Sequence, residues 1–148
     1  MRIPPPVIAV TMAVATVMSS GHMTRAWPAN GYASCAALAL ALLGTAVDLS
    51  AKRLFVRQGT TVNPMSPGAA SVMVSTGAYQ WSRNPMYLGR LMQLLALALY
   101  LASPVGLLGV PLFAIYLDRV QIRAEERALS QRFPVEFAAY RLRVRRWL

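Results

Sequence analysis

The chain has 148 residues, which is enough for one domain and too few for two ordinary ones. It is 56% hydrophobic and only 14% charged, whereas about 25% of the residues of a soluble domain are charged. This composition, with a mean hydropathy of +0.44, argues against a soluble domain and predicts an integral membrane protein. The net charge of +10 comes from residues that cluster between the apolar stretches. That pattern favours the anionic lipids of a cytoplasmic leaflet over nucleic acid as a partner.

Four apolar stretches follow one another along the chain, at about residues 3–20, 32–55, 86–101 and 104–118. The first two meet the length of roughly 20 residues that a helix needs to cross a bilayer. Pro104 can occupy the first helical position behind Ser103, so the last two stretches should form a tight helical hairpin. The fourth helix can also continue past Asp118 towards water. We predict one all-α domain, 1–148, a polytopic membrane helix bundle with about four transmembrane helices.

The first stretch has a second interpretation, a cleaved signal peptide with Arg2 as its basic n-region. Three consecutive prolines, Pro4-Pro5-Pro6, are unusual in such a peptide. Val17-Met18-Ser19-Ser20 is also a poor cleavage site of the small-x-small type. We therefore favour a transmembrane helix.

Basic residues predict the orientation. The segment between the first two stretches carries only Arg25, and the hairpin turn carries none. The other basic residues lie at the N-terminus, near the 56–85 connection or in the tail, 119–148. Because cytoplasmic loops carry an excess of Lys and Arg, we expect both termini on the cytoplasmic side of the inner membrane. The tail should form a cytoplasmic helical cap that breaks at Phe133-Pro134.

Two groups of polar residues have the chemistry of a site. The first is the turn-rich segment Ser82-Arg83-Asn84-Pro85-Met86-Tyr87-Leu88-Gly89, which gathers a cation, an amide and a phenol where a helix begins. An equally good interpretation is a membrane-interface loop with an aromatic anchor. The second is Glu125-Glu126, whose carboxylates project about 100° apart on a helix. One can pair with an arginine while the other binds a ligand, although a solvated helix face with ordinary i,i+4 ion pairs explains it too.

The two groups together resemble a known family. Arg83-Asn84-Pro85-Met86-Tyr87-Leu88-Gly89 is followed about forty residues later by Glu125-Glu126 and then by Phe133, Phe137 and Tyr140. This arrangement is similar to that of the isoprenylcysteine carboxyl methyltransferases, and its Asn-Pro-Met-Tyr form is similar to the phospholipid methyltransferases. The resemblance covers about residues 59–148, and Leu42-Leu43-Gly44 resembles a cofactor-contacting helix of the phospholipid enzymes.

The resemblance implies an S-adenosylmethionine-dependent methyltransferase, with the cofactor at the cytoplasmic mouth of the bundle. Carried over residue by residue, the implied cofactor-binding set is Tyr79, Arg83, Asn84, Pro85, Met86, Tyr87, Glu125 and Glu126. The backbone of residues 71–74 is implied to lie nearby. Methyl transfer requires alignment of donor and acceptor rather than a nucleophile on the protein, and alignment alone supplies several kcal/mol.

Several positions depart from the family pattern. Asn84 replaces a common histidine, Pro134 a usual glycine, and Phe137 a tyrosine. Gln121 stands where the carboxyl enzymes carry an arginine thought to meet the substrate, and we expect Arg119 or Arg123 to substitute for it. The acceptor is accordingly expected to be lipophilic, either an isoprenylcysteine-like carboxylate or another small hydrophobic acid or thiol.

The alternatives are a phospholipid N-methyltransferase, a sterol-reductase-like enzyme with a nicotinamide cofactor, and a non-catalytic membrane adaptor. The oligomeric state is left open.

Four further residues are possible site residues, and none of them indicates a specific chemistry. His22 is the only histidine and lies in a loop predicted to face away from the cytoplasm, so no metal site is expected. Cys35, the only cysteine, lies in an apolar stretch and should pack between helices. Arg90 and Gln93 lie three residues apart on one helix face. They indicate either an inward polar face or an arginine that extends to the interface.

Overall fold

The computed structural model describes residues 3–20, 31–60 and 71–148, and within these ranges all regular structure is helical. The helices are α1 (Pro5–Ser20), α2 (Gly31–Arg57), α3 (Pro85–Tyr100), α4 (Pro104–Tyr116), α5 (Arg123–Arg132) and α6 (Pro134–Arg143). A 3-10 turn, Gly77–Gln80, precedes α3, and a π-helical segment, Leu117–Ile122, joins α4 to α5. The all-α prediction is confirmed. The interpretations of Arg2, His22 and Arg25 concern residues outside the described ranges.

Two of the described helices are long and apolar enough to cross a bilayer. They are Gly31–Arg57 and the continuous helix Pro104–Arg132, which passes through the π-helical segment. The predicted continuation past Asp118 is therefore confirmed. Helix α1 is a shorter apolar helix, and α3 has 16 residues. Four crossings and the cytoplasmic position of the tail stay predictions.

The α3–α4 hairpin forms as predicted. Pro104 begins α4, and the buried Ser103 hydroxyl caps the helix by accepting a hydrogen bond from the Gly106 amide at 3.1 Å. The same hydroxyl lies 2.8 Å from that of Ser19 in α1. Ala102 takes a positive φ of 47° to close the turn. The hairpin is thus joined to α1 by a polar contact at the end of the bundle remote from the tail.

Helices α2 and α3 pack through a contact between two glycines. A Cβ placed on Gly89 would lie 2.5 Å from the Gly44 carbonyl oxygen and 2.8 Å from the Asp48 amide nitrogen. A Cβ on Gly44 would lie 2.7 Å from the Gly89 carbonyl oxygen. No side chain fits at either position, so the two backbones are in direct contact. Small residues allow this approach between helices in a membrane.

The apolar surface of the bundle faces outwards. Leu38, Leu42 and Leu43 of α2 are 55–62% exposed, and Val10, Met18 and Leu108 show the same pattern on α1 and α4. Exposed apolar side chains on three neighbouring helices suit a lipid environment, because a soluble protein rarely exposes so large an apolar patch. The Leu42-Leu43 segment therefore faces outwards, and Gly44 packs on α3.

The tail folds back against the loop that precedes α3. The Arg83 amide donates to the Arg145 carbonyl oxygen at 3.0 Å. The Tyr140 hydroxyl donates to the Tyr79 carbonyl oxygen at 2.7 Å, and both rings are buried. Phe137 and Val144 complete this small core with Ala51 of α2. The tail is thus held against the loop before α3 and against α2.

Candidate active site

A cavity of about 250 Å³ lies where the bundle meets the cap. Its apolar walls include Phe55, Phe113, Leu129 and Phe137, and Val72, Met73 and Val74 border it as expected for the 71–74 segment. Its polar lining comes from several helices and consists of Asp48, Lys52, Tyr79, Arg83, Asn84, Tyr87, Arg90, Glu125, Glu126 and Tyr140. A concave apolar site with a few convergent polar groups is the ordinary form of a small-molecule site.

The two predicted groups of site residues meet at one hydrogen bond. The Tyr87 hydroxyl donates to Glu125 Oε1 at 2.5 Å, across 38 residues of chain. Gln121 Nε2 donates to the same oxygen at 2.7 Å. A phenol and an amide therefore orient the Glu125 carboxylate from two sides. The α3–α4 hairpin brings the two residues together, because it returns the chain to the level where α3 begins.

Glu126 is the acceptor of two arginines. Arg83 Nη2 lies 2.9 Å from Oε1, and Arg146 contacts both oxygens, at 3.2 Å from Nε and 2.6 Å from Nη2. Arg146 also binds Asp118 at 2.9 Å. Hydrogen bonding to Glu126 raises the pKa of Arg146, whereas burial lowers the pKa of Arg83. The network fixes Arg83 at the cavity wall and joins the tail to α5.

Asn84 makes neutral hydrogen bonds to the tail and forms no ion pair. Its Nδ2 donates to the Arg146 carbonyl oxygen at 2.9 Å, which also accepts from the Ser82 hydroxyl at 3.3 Å. The Asn84 backbone amide donates to that hydroxyl at 3.1 Å. Asn84 therefore anchors the start of α3 against the tail. An amide performs this task without a titrating group, which fits its place at a position where the family commonly has histidine.

Tyr79 forms the floor of the cavity beside the cap. Its ring packs edge-on against Phe55, with centroids 5.5 Å apart. Burial, with smaller contributions from the charges of Tyr140 and Glu125, raises the pKa of its phenol far above the ordinary value. The hydroxyl is consequently neutral at physiological pH and can donate or accept a hydrogen bond.

The structure brings most of the predicted cofactor-binding residues to the cavity. Tyr79, Arg83, Asn84, Met86, Tyr87, Glu125 and Glu126 all line it. Pro85 is buried at the first position of α3 and does not line the cavity. Arg119 and Arg123 lie instead on a separate shallow groove with Arg127 and Arg141, and Glu126 borders both sites. The predicted substrate-binding role of these two arginines is therefore not supported by proximity to the cavity.

Sequence reasoning missed Arg146, Asp48 and Lys52. Arg146 pairs with Glu126 from the far end of the tail, and no spacing rule connects two such distant positions. Asp48 of α2 is 4% exposed and binds Lys52 at 2.7 Å and Arg90 at 3.4 Å. Asp48 could have been recognised from the sequence, because an acidic residue inside an apolar span marks a functional site by default. Arg90 thus has an inward partner, and Gln93 donates to Thr45 at 2.9 Å.

Comparison with known proteins identifies the family. A sequence profile described as phospholipid methyltransferase matches residues 32–136, well over half of the chain and a range that includes both groups of site residues. The chain belongs to the phospholipid methyltransferase family. The resemblance drawn from the motifs is confirmed, and the protein is a membrane methyltransferase of the phospholipid and isoprenylcysteine type.

Two known proteins match parts of the chain in sequence. It is 41% identical over 63 residues to an uncharacterised protein of Haemophilus influenzae, a match that covers 43% of this chain and 100% of that protein. It is 37% identical over 75 residues to the protein-S-isoprenylcysteine O-methyltransferase of Saccharomyces cerevisiae. The second match covers 49% of this chain and 30% of the yeast enzyme. No solved structure matches the chain significantly.

Proposed function

We propose that this methyltransferase uses S-adenosylmethionine to methylate a lipophilic acceptor at the cytoplasmic face of the membrane. The proposed acceptor is an isoprenylcysteine-like carboxylate or another small hydrophobic acid or thiol. The observation that carries the proposal is the hydrogen bond between Tyr87 and Glu125, at 2.5 Å, on the wall of a cavity. It joins the two distant motifs that the family resemblance associates with the cofactor.

The residues at the cavity have the chemistry that S-adenosylmethionine requires. Arg83 Nε is buried and has no hydrogen-bond partner, so it is available to donate to the carboxylate of the cofactor. Glu125 and Glu126 supply negative charge for the ammonium and sulfonium groups or acceptors for the ribose hydroxyls. Phe55 and Phe137 supply apolar surface for the adenine ring. We therefore consider that these residues fit the cofactor.

When bound, S-adenosylmethionine supplies a methyl carbon whose bond to sulfur breaks as an acceptor lone pair forms the new bond, and the departing thioether is neutral. A carboxylate acceptor loses its negative charge in this exchange, so no proton has to move. The task of the chain is then to align the two partners and to exclude water. Tyr87 and Gln121 serve this task by holding Glu125 in one position.

The lining of the cavity supports a lipophilic acceptor. Pro5 and Phe113 at its wall belong to α1 and α4, two helices whose outer faces carry exposed apolar side chains. An acceptor that is dissolved in the bilayer would reach the cavity past these helices without crossing water. The relative from yeast, by its name, acts on protein-bound isoprenylcysteine, and a phospholipid amine is a compatible acceptor because of the family profile.

The proposal is tested by calorimetric titration of S-adenosylmethionine into the detergent-solubilised protein. We expect the parent protein to bind and both Tyr87→Phe and Glu125→Gln to bind at least about tenfold more weakly. Tyr87→Phe removes the donor that orients Glu125, and Glu125→Gln removes the negative charge of the acceptor. Tyr32→Phe and Glu136→Gln are the matched controls, because both side chains are exposed. Absence of binding to the parent would contradict the proposal.

A second measurement separates catalysis from binding. The parent protein is incubated with a radiolabelled methyl donor and native membrane lipids, and the labelled product is identified. A methyl ester or thioether supports the proposed acceptor, and a methylated amine supports the phospholipid alternative. Binding of the cofactor with no transfer to any lipid would favour the non-catalytic adaptor.

A further inference from the structure

A cluster of three charged residues lines the cavity apart from the glutamate pair. Asp48 and Lys52 come from α2 and Arg90 from α3. Asp48 Oδ2 accepts from both cations, at 2.7 Å from Lys52 Nζ and 3.4 Å from Arg90 Nη2. The cluster is not part of the motifs that indicate the family. Because ionisable residues inside apolar spans are rare and mark functional sites by default, the cluster is a candidate site.

The cluster lies deeper in the bundle than the glutamate pair. Arg90 follows Tyr87 by three residues on α3, which is a rise of about 4.5 Å along a helix. Tyr87 contacts Glu125, whereas Arg90 contacts Asp48 one helix away. The cavity therefore has two polar ends, an outer one around Glu125 and Glu126 and an inner one around Asp48.

The inner end has unused hydrogen-bonding groups of both kinds. Asp48 is 4% exposed, and its Oδ1 is buried without a partner. The Lys52 ammonium and the Arg90 guanidinium each contact Asp48 through one nitrogen, and both side chains are only partly exposed, at 40% and 35%. A guanidinium has five donors and an ammonium three. The cluster can thus receive a ligand that accepts several hydrogen bonds.

The charge of the inner end decides what kind of ligand it receives. Two cations face one carboxylate, which leaves a surplus of one positive charge at the boundary of an apolar cavity. Gln121 adds no charge here, because it is neutral, buried at 1% exposure and outside the cavity lining. Arg83 is already paired with Glu126. Lys52 and Arg90 are therefore the cations that a second ligand would meet. An anion satisfies them, while a cationic head would be repelled.

We propose that Asp48, Lys52 and Arg90 form a second polar subsite, which binds the anionic head of the lipophilic acceptor. The cations hold the head, and Asp48 is a positioning residue that fixes both of them and offers Oδ1 to a donor on the same ligand. The inference rests on the proposed function for the identity of the ligand as acceptor. Binding of an anionic amphiphile at the subsite is independent of methyl transfer and is what the experiment measures.

The probes are dodecanoate and dodecyltrimethylammonium, which share a tail and differ in the charge of the head. Each is titrated calorimetrically into the full chain in an uncharged maltoside detergent, with protein-free micelles as the blank. We expect dodecanoate to bind at least about tenfold more tightly, because a hydrogen bond to a charged group has about that effect on affinity. Equal affinity for the two probes would overturn the proposal without the use of any variant.

Variants locate the binding. Arg90→Gln should weaken dodecanoate binding about tenfold or more, and Arg90→Lys, which keeps the charge, should retain most of it. The matched control is Arg53→Gln, an exposed cation that adjoins Lys52 on α2 and does not line the cavity. Equal loss in Arg53→Gln and Arg90→Gln would show general electrostatic attraction and overturn the proposal.

Titration of the same variants with S-adenosylmethionine separates the two hypotheses. If Arg90→Gln loses dodecanoate and keeps S-adenosylmethionine, the subsite belongs to the acceptor as proposed. If it loses the cofactor and keeps dodecanoate, the cluster is part of the cofactor site and the inference is wrong. If the parent binds dodecanoate through Arg90 but never binds S-adenosylmethionine, the proposed function fails and the anion subsite stands.

Discussion

The α2–α3 pair and the C-terminal cap both line the cavity, and each is held together by different forces. Between α2 and α3, the backbones touch at Gly44 and Gly89 with no space for a methyl group. In the cap, ion pairs act beside a small apolar core, since Arg146 binds both Glu126 and Asp118 while Phe137, Tyr140 and Val144 pack together. The α2–α3 wall depends on the absence of side chains, whereas the cap also depends on long charged side chains.

The difference fits the surroundings predicted for each wall, lipid for the α2–α3 pair and the membrane surface for the cap. In lipid, an apolar side chain gains little by leaving the bilayer for a helix interface, so close packing of small residues supplies the stability. At the membrane surface, charged groups stay partly hydrated, and ion pairs with good geometry form at modest desolvation cost. The first wall should therefore be sensitive to side-chain volume, and the second to charge and pH.

The largest effect is expected from Gly89→Ala. Its Cβ would lie 2.5 Å from the Gly44 carbonyl oxygen and 2.8 Å from the Asp48 amide nitrogen, and both are backbone atoms. The helices would have to separate, which costs about 1–3 kcal/mol and occasionally more for an overpacked interface. The thermal unfolding midpoint in detergent measures the loss.

The control for this substitution is Gly31→Ala at the first position of α2, where nothing lies within 4 Å of the added Cβ. It should leave the midpoint unchanged or slightly raised. An equal decrease in both variants would mean that glycine matters for a reason other than the close approach of the helices.

A smaller effect is expected from Arg146→Gln. This change removes the bidentate contact with Glu126 and the contact with Asp118, and it leaves both carboxylates with fewer donors. We expect a loss of about 1–1.5 kcal/mol in the free energy of unfolding, because these side chains are partly exposed. Cofactor binding should also weaken, because Arg83 loses part of its support. Chemical denaturation and calorimetry provide the two measurements.

Arg119→Gln is the matched comparison, since Arg119 contacts the same Asp118 but is 68% exposed and 4.0 Å away. An exposed pair of this kind contributes about 0–1 kcal/mol. A loss as large as that of Arg146→Gln would contradict the distinction between a partly buried network and an exposed pair.

The smallest effect is a dependence of stability on alkaline pH. Burial, opposed in part by Arg83, raises the pKa of Tyr140 to about 12, whereas a tyrosine in an unfolded chain has a pKa of about 10. Below pH ~10 both states are protonated and the stabilising contribution is complete. Between these values only the unfolded chain releases the proton, so the stability falls as the pH rises.

The unfolding midpoint, followed from about pH 9 to 12, should decline in the parent and decline less steeply in Tyr140→Phe. Some decline should persist in that variant, because the pKa of Tyr79 is raised as well. The exposed Tyr32 provides the control, and Tyr32→Phe should follow the parent. Identical slopes for Tyr140→Phe and the parent would exclude this phenol as the cause.

Local rules predicted the helices well. Pro85, Pro104 and Pro134 each begin a helix, because proline is preorganised for the first turn and lacks the amide that this turn leaves unpaired. The motif around residue 85 and the glutamate pair also converge as the family resemblance implied. The helix starts could be predicted from a few neighbouring residues, and the convergence of the two motifs from the pattern of a known family.

Contacts between distant residues were not predictable in this way. The pairing of Glu126 with Arg146 depends on how the tail folds back, and the chain has many other arginines that composition cannot distinguish from it. The approach of Gly44 to Gly89 depends on the relative rotation of α2 and α3. The exposure of Arg119 and Arg123 on another groove depends on the same kind of rotation, which helical spacing alone does not contain.

The π-helical segment, Leu117–Ile122, has a consequence for any helical wheel of this region. Each residue of a regular α-helix turns the chain by about 100°, and a π turn accommodates an additional residue. A wheel drawn without interruption through Pro104–Arg132 would consequently assign wrong azimuths to everything downstream, including Glu125. Removal of a single residue between Leu117 and Ile122 should restore an even winding and leave both carboxylates near their present azimuth, whereas the same removal from the regular part of α4 should turn them by about 100°.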